Sequence, residues 1–443
     1  MKIQLSDHFT YRRLLRFVFP SVIMMIFTSI YGVIDGLFIS NFVGKTSFAA
    51  INLVIPFIMV LGGFGFMIGT GGSALVAKKL GEGDAKKANQ YFSMLIWFTL
   101  IIGIFFSIVG IVFTRPVSYF LGATEDMIRD CVLYAQISFI FNTSFMYQNL
   151  FQSFLVAAEK PKLGLISTVA AGLTNIALDA LFIAGFHWGV SGAALATGLS
   201  QCVGAAIPFI FFARKNDTPL HIIRTNLELH VLLKTCSNGV SELLNNVASC
   251  IVAIMYNFQL LRFIGENGIA AYGVLMYIQF IFVAIYVGYA IGSAPIISYH
   301  YGAQNHNELK NMLKKSSLLM GISGICMTIL AQFLAIPLAK IFVGYDAELF
   351  SLTVHAFRIF AFSFILCGMN IFTSSFFTAL NNGVVSAIIS FLRTLVFQLI
   401  CVFLLPVIFD IDGIWLAIAF AEVCAFIISL LFLIGKRKQY HYI

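Results

Sequence analysis

The sequence predicts an all-α membrane protein whose 12 transmembrane helices form two six-helix bundles, related by a pseudo-twofold axis along the membrane normal. Three observations lead to this prediction. The chain of 443 residues is 60% hydrophobic and only 10% charged, whereas a soluble domain carries roughly 25% charged residues. It contains a series of apolar runs that reach the roughly 20 residues needed to cross a bilayer. Finally, the second half of the chain repeats the first.

The repeat has a constant offset of 221 residues, as from Phe42 to Phe263. The stretch FVGKTSFAA (42–50) recurs as FIGENGIAA (263–271), and NLFQSFLVAA (149–158) recurs as NIFTSSFFTA (370–379). A register kept without insertions indicates duplication of one ancestral unit. A unit with six spans ends on the side of the membrane where it began. The two copies therefore have the same orientation, which predicts the pseudo-twofold axis.

The predicted spans follow the apolar runs in order. In the first half they are 15–40, 47–77, 91–114, 128–157, 163–186 and 190–213, and in the second half 236–263, 268–299, 316–340, 350–379, 384–408 and 412–435. A polar stretch separates the halves. We therefore predict an N-terminal lobe (1–213), a cytoplasmic linker (214–234) and a C-terminal lobe (235–443).

The positive charges predict the orientation. Of the 27 Lys and Arg residues, 20 fall on one side, in the amino terminus, the linker, the carboxyl-terminal tail and the segments 78–87, 158–162 and 310–315. Only five lie in the opposite loops: Lys45, Arg115, Arg129, Arg262 and Lys340. Positive charge accumulates on the cytoplasmic side, so both termini are predicted to be cytoplasmic. Because these charges are scattered over six junctions, they do not form a nucleic-acid site.

Two acidic residues lie inside predicted spans of the first half, Asp35 in span 1 and Asp179 in span 5. A charge at bilayer depth is costly and is a functional candidate by default. Counting 1.5 Å per residue from the outer helix ends places both roughly 10 Å below the outer surface. Thr197 of span 6 falls at the same level, and Asn175 lies one turn deeper than Asp179 on the same helix face. The sequence therefore predicts one polar layer in an apolar bundle.

Three interpretations of this layer remain open. The acids are neutral hydrogen-bonding partners that pack helices together, or they share an exchangeable proton, since desolvation and mutual repulsion favour protonation of one carboxyl. Alternatively, the pair binds Na⁺, with Asn175 and Thr197 adding the neutral oxygens that a hard ion prefers. The last two interpretations make the layer a site of ion coupling.

The second half does not repeat this layer. Tyr256, Val396 and Ile400 stand at the positions that match Asp35, Asn175 and Asp179. Its own intramembrane charges are Glu242 in span 7, Arg358 in span 10, Arg393 in span 11 and Glu422 in span 12. Arg393 and Glu422 are expected to form a structural ion pair. Glu242 is either a secondary contact for a cationic substrate or an interface residue, and Arg358 receives no role.

Over residues 10–435 the chain resembles the multidrug and toxic compound extrusion (MATE) family, in the branch of DinF- and MepA-type members. The resemblance rests on IDGLFISNFVG around Asp35, on KKLGEGDAKKAN with its echo YHYGAQNHNELKN, on TNIALDALFI, and on Thr197. It implies coupling through Asp35, Asn175, Asp179 and Thr197, with Tyr134 of span 4 as a further match.

The resemblance also implies a V-shaped pair of bundles in a bacterial plasma membrane, working as a monomer without a cofactor. The implied activity is export of amphipathic, often cationic, organic compounds in exchange for H⁺ or Na⁺.

The sequence argues against three other functions. A flippase for lipid-linked saccharides shares the architecture, but it would line its cavity with several basic residues, and only Arg358 and Arg393 lie within spans. A membrane enzyme would need a catalytic constellation, and the spans contain no H-E-x-x-H or G-x-S-x-G motif. A scaffold or receptor would not need two acids at matched depth. The expected function is therefore transport.

Overall fold

A computed structural model describes residues 3–442 and, within them, all side chains except those of Leu37, Ser40, Asn41 and Lys45. Lys2, one of the charges counted above, lies outside these residues. All regular secondary structure in the described residues is helical. Its α-helices are α1 (Tyr11–Phe42), α2 (Lys45–Gly62), α3 (Phe64–Gly81), α4 (Ala85–Phe120), α5 (Glu125–Ile140), α6 (Asn142–Ala157), α7 (Pro161–Asp179), α8 (Gly189–Ala213), α9 (Leu229–Phe263), α10 (Glu266–Gly302), α11 (His306–Val343), α12 (Ala347–Phe360), α13 (Phe364–Ala379), α14 (Gly383–Phe391), α15 (Phe397–Leu404) and α16 (Pro406–Tyr440).

Within the described residues, 11 helical stretches are long and apolar enough to cross a membrane. The remaining predicted span, 128–157, is divided at Phe141 into α5 and α6, each of 16 residues. Gly198 of α8 makes room for the Phe141 ring, which a Cβ at that position would overlap. The sequence gives no sign of this break, because residues 128–157 contain neither glycine nor proline. The all-α, two-lobe membrane fold is confirmed. Helices also end inside the second predicted span, at Gly63, and inside the tenth, at Ala361–Ser363.

The repeat is visible in the helix starts. Gly44 and Gly265, which are equivalent in the repeat, precede α2 and α10 with φ values of 112° and 85°, a region that favours glycine. Asp84 and Asn305 are also equivalent, and each caps the helix that follows. Their side chains accept hydrogen bonds from the backbone N–H groups of Lys87 and Glu308, both at 3.1 Å. These caps satisfy donors that a helix amino terminus leaves unpaired.

The two lobes meet closely at one end of the molecule, which we call the terminal end because Tyr301 of α10 contacts both Tyr440 of the carboxyl-terminal helix and Lys78 of α3 there. Here α3 packs against α9 and α10, and α1 packs against α10. A Cβ added at Gly71, Gly81, Gly239 or Gly302 would overlap the backbone of the facing helix. Small residues of this kind let membrane helices approach at the backbone, so the terminal end is sealed.

At the opposite end, which we call the open end, the lobes pack less closely. Gly32 of α1 and Gly273 of α10 have nothing within 4 Å of the position of a Cβ, and the nearest atom to that of Gly36 is the Tyr277 hydroxyl at 3.8 Å. The two helices still meet at Ser29, whose hydroxyl donates to the Phe280 carbonyl of α10 at 3.2 Å. Beyond that contact, in the turns that carry Gly32 and Asp35, they pack less closely than at the terminal end.

At the terminal end each lobe completes the core of the other. Leu5, Phe9 and Phe17, which precede or begin α1, are buried in a cluster with α10, α11 and α13 of the C-terminal half. Reciprocally, Val231 and Leu232 at the start of α9 are buried in a cluster with α3, α4 and α6 of the N-terminal half. Because these segments cross over, they tie the lobes together where the cleft is closed.

Candidate ion-coupling site

The first half of the chain positions its two acids on neighbouring helices. Gly172 of α7 lies against the rings of Phe27 and Tyr31, so a Cβ there would overlap α1 side chains and hold the helices apart. This close packing brings Asp35 of α1 and Asp179 of α7 to one level. Asp179 is the last residue of α7, and a π-helical turn, Ala180–Gly185, follows it directly. Such π turns often occur at functional sites.

The predicted polar layer is assembled in the structure. The Asp35 carboxyl faces Asp179, Asn175 and Thr197, and Tyr134 of α5 faces both carboxyls and Thr197. Asp179 is 0% exposed and Asn175 is 1% exposed, whereas Asp35 and Thr197 are half-buried. The layer therefore has a deep side at Asp179 and a more accessible side at Asp35.

Several polar atoms of this layer have no hydrogen-bond partner within the described chain. They are Asp35 Oδ1, both carboxylate oxygens of Asp179, Asn175 Nδ2 and Thr197 Oγ1. Buried polar atoms are nearly always paired, so a cluster of unpaired ones calls for a specific explanation. In the part of the chain that the structure describes, no lysine or arginine is among the groups that act on the two carboxyls. A small exchangeable cation would supply the missing positive charge and pair with the unbonded oxygens, but not with the Asn175 Nδ2 donor.

Two further tyrosines belong to the surroundings of the layer and were not predicted from the sequence. Tyr31, one turn below Asp35 on α1, contacts the Gln148 side chain of α6. Tyr277 of α10 is 37% exposed and faces Asp35 from the opposite lobe. The helical spacing of Tyr31 and Asp35 was a usable signal for the first. No sequence pattern could identify Tyr277, because its approach depends on how the lobes are placed.

Two charges of the second half, Arg393 and Glu422, form a separate cluster in which both are paired. The Arg393 Nε lies 2.9 and 3.0 Å from the two Glu422 carboxylate oxygens, and its Nη2 lies 2.9 Å from Oε1. Asn370 Nδ2 donates to Glu422 Oε2 at 2.7 Å and to the Glu422 backbone carbonyl at 2.9 Å. Ser429 donates to Asn370 Oδ1 at 3.1 Å. This is the ion pair expected from the sequence, and Asn370 completes it.

The remaining intramembrane charges lie apart from the polar layer. Glu242 of α9 is half-buried and faces Arg393 and Asn245, so it joins the ion-pair cluster of the second half. Arg358 is exposed near the end of α12, and its backbone carbonyl accepts a hydrogen bond from Gln332 at 2.8 Å. The structure thus divides the predicted site residues into two groups, one in each lobe.

Comparison with known proteins identifies the family. The MatE family model matches residues 20–181 and 240–404, one stretch in each half of the repeat. The chain belongs to the MATE family. As a MATE protein it is a membrane transporter and not an enzyme. The chain is also 26% identical, over 72% of its length and 71% of the relative's, to the multidrug export protein MepA of Staphylococcus haemolyticus.

Solved MATE structures share the whole fold. One, described as MATE in complex with MaL6, matches with a TM-score of 0.92 and 22% identity, covering 97% of both chains. Another is described as the outward-facing conformation of a multidrug resistance MATE family transporter of the MOP superfamily. It matches with a TM-score of 0.91 and 22% identity, covering 97% of this chain and 96% of that one. The described fold is therefore that of MATE transporters over nearly its full length.

Proposed function

We propose that the protein is a secondary active multidrug exporter that expels amphipathic, often cationic, organic compounds in exchange for H⁺ or Na⁺. One observation carries the proposal: Asp35 and Asp179 face each other with unpaired carboxyl oxygens and no basic partner, in the half of the bundle where the lobes pack less closely. The name of the Staphylococcus relatives, multidrug export proteins, supports the substrate class. We expect the protein to act as a monomer in a bacterial plasma membrane.

The membrane orientation that we propose determines which side of the membrane each end of the molecule faces. If the Lys- and Arg-rich segments are cytoplasmic, as the charge asymmetry predicts, the sealed terminal end faces the cytoplasm. The open end then faces outward, and the described conformation is the one that releases drug and admits the coupling ion. The fit to an outward-facing MATE structure supports this assignment.

Coupling follows from the charge of the layer. With no ion bound, the carboxylates attract a cationic drug and repel one another. A proton or Na⁺ from the outside neutralises the layer, and Asn175 and Thr197 can supply neutral oxygens to Na⁺. The drug then loses its counter-charge in the outward-open state and leaves. Transport is coupled because drug and ion favour different states of the same site.

Export of a cation also agrees with the state of the arginines. A flippase for anionic lipid-linked saccharides would need unpaired positive charge at its cavity. Arg393 is instead neutralised by Glu422 at 2.9 Å. Asp35 and Asp179, in contrast, have buried carboxyl oxygens without a hydrogen-bond partner in the described chain and no basic group beside them, which favours a positively charged cargo.

The proposal is tested in proteoliposomes that contain a fluorescent lipophilic cation. We would impose a pH gradient and, separately, a Na⁺ gradient, and compare wild type with Asp35→Asn and Asp179→Asn. The matched control is Asp126→Asn, which makes the same change at an exposed carboxyl of the N-terminal lobe. We expect one gradient to drive transport in wild type and control and in neither test variant. Unchanged transport in both test variants would contradict the proposal.

A further inference from the structure

The segment that precedes α1 lies across the terminal end and contacts both lobes. Leu5 donates its backbone N–H to Glu159 Oε1 at 2.8 Å, in the turn between α6 and α7 of the N-terminal lobe. Four residues later, Phe9 donates its backbone N–H to Glu308 Oε1 at 2.9 Å, on α11 of the C-terminal lobe. We call residues 3–9 the amino-terminal strap, because they join the two lobes by hydrogen bonds where the cleft is closed.

Glu308 is the centre of the attachment to the C-terminal lobe. Its carboxylate is 5% exposed and also receives Asn311 Nδ2 at 2.6 Å and contacts His8 Nδ1 at 2.7 Å. The Phe9 carbonyl accepts from Asn311 at 3.0 Å and from Lys315 at 2.6 Å. A buried carboxylate whose oxygens hold a backbone N–H and two side chains is a strong, charge-assisted anchor.

Apolar contacts reinforce this anchor. Leu5 is 1% exposed and Phe9 is 0% exposed, both inside the core cluster of the C-terminal lobe. The Phe9 ring also meets the Phe17 ring edge-on, with centroids 5.9 Å apart. The strap is therefore built into one lobe while its chain continues, through α1, into the other.

We propose that the amino-terminal strap, anchored by Glu308, holds the terminal end closed and must release that anchor before the lobes separate there. The four peptide units from Leu5 to Phe9 reach at most about 14 Å when fully extended. While both anchors hold, Glu159 and Glu308 cannot move farther apart than this reach allows. Glu308 is thus a positioning residue for the transport cycle. This inference rests on the alternating-access function proposed above.

Hydrogen–deuterium exchange of the full chain in detergent tests the strap, with neither drug nor ion gradient present. We would compare wild type with Glu308→Ala and with a chain that lacks residues 2–8. Both variants should expose the sealed helix ends more often. We expect amide exchange to rise by about tenfold, the size of effect that loss of such an anchor gives, in residues 71–81 of α3 and 292–302 of α10. Peptides of α5, at the open end, should keep the wild-type rate.

The matched control is Glu82→Ala, a carboxylate at the same end that pairs with Lys78 and Lys79 of its own lobe. It should leave exchange at the sealed ends unchanged, and His8→Ala should give a smaller rise than Glu308→Ala. Wild-type exchange in residues 71–81 and 292–302 of both test variants would overturn the proposal. Because this measurement involves no ion or drug, its failure would leave the coupling role of Asp35 and Asp179 untouched.

Discussion

The two lobes descend from one repeated unit, yet the buried acidic residues lack a basic partner in one lobe and are paired with an arginine in the other. In the N-terminal lobe, Asp35 and Asp179 face each other without a basic partner, and Asp35 Oδ1 and both Asp179 oxygens lack hydrogen bonds within the described chain. In the C-terminal lobe, Glu422 receives Arg393 and Asn370 at 2.7 to 3.0 Å. A carboxylate that an arginine already neutralises does not need a cation. Two carboxyls without a basic partner can bind and release one. We therefore propose that the first lobe couples transport to the ion and that the buried ion pair of the second lobe is structural.

The largest effect is expected from Asp179→Asn. This change removes a 0% exposed carboxyl but keeps its shape, so the protein should fold and gradient-driven efflux should fall to the level of empty vesicles. Efflux measured under the effective gradient checks this, with equal amounts of reconstituted protein. If this variant retains most of its efflux, the proposal that ion coupling depends on the N-terminal lobe is contradicted.

The second effect concerns stability rather than transport. Glu422→Gln leaves the buried Arg393 guanidinium without its counter-ion, which costs about 3–5 kcal/mol. We expect a clear drop in the unfolding temperature in detergent. The double variant Arg393→Met/Glu422→Leu removes both charges, so it should recover most of that loss and should transport. A stable double variant that cannot couple efflux to the gradient would show that the second lobe also takes part in coupling.

A smaller effect is expected from Thr197→Val, which replaces an unpaired hydroxyl in the layer by a methyl group of similar size. Loss of one ligand or hydrogen bond corresponds to roughly 1 kcal/mol. The concentration of coupling ion that gives half-maximal efflux should therefore rise by about fivefold, while the maximal rate changes little. Thr174→Val on α7 is the matched control, because its hydroxyl already donates to the Ala170 carbonyl at 2.8 Å.

The smallest effect is expected at Tyr277, which faces Asp35 from the other lobe. Tyr277→Phe removes only a half-exposed hydroxyl, so we expect a change in efflux of less than about threefold. Tyr345→Phe, at a residue that is 84% exposed, serves as the control. If Tyr277→Phe abolishes efflux, the coupling site includes the C-terminal lobe and the contrast between the lobes must be redrawn.

The features that depend on a single helix or on the repeat could be predicted from the sequence. Apolar runs located the spans, and counting residues from the helix ends placed Asp35, Asp179 and Thr197 at one level, where the structure also puts them. The features that form where distant segments of the chain meet could not be predicted. The break at Phe141 depends on the space beside Gly198, and the approach of Tyr277 depends on the angle between lobes.

The amino-terminal strap shows the same limit. In the sequence, residues 3–9 are a short segment of mixed polarity before the first span. Only the structure shows that Leu5 and Phe9 are buried in the opposite lobe. Their anchor, Glu308, lies about 300 residues away in sequence. No local pattern predicts a contact of that range.

Competition between drug and ion for the purified protein tests the central claim most directly. The dissociation constant of a fluorescent lipophilic cation would be measured in detergent while either the H⁺ or the Na⁺ concentration is raised. We predict that one of these ions weakens drug binding to the wild type and that neither does so in Asp179→Asn. Full competition persisting in that variant, with the same ion and the same dependence, would contradict the account.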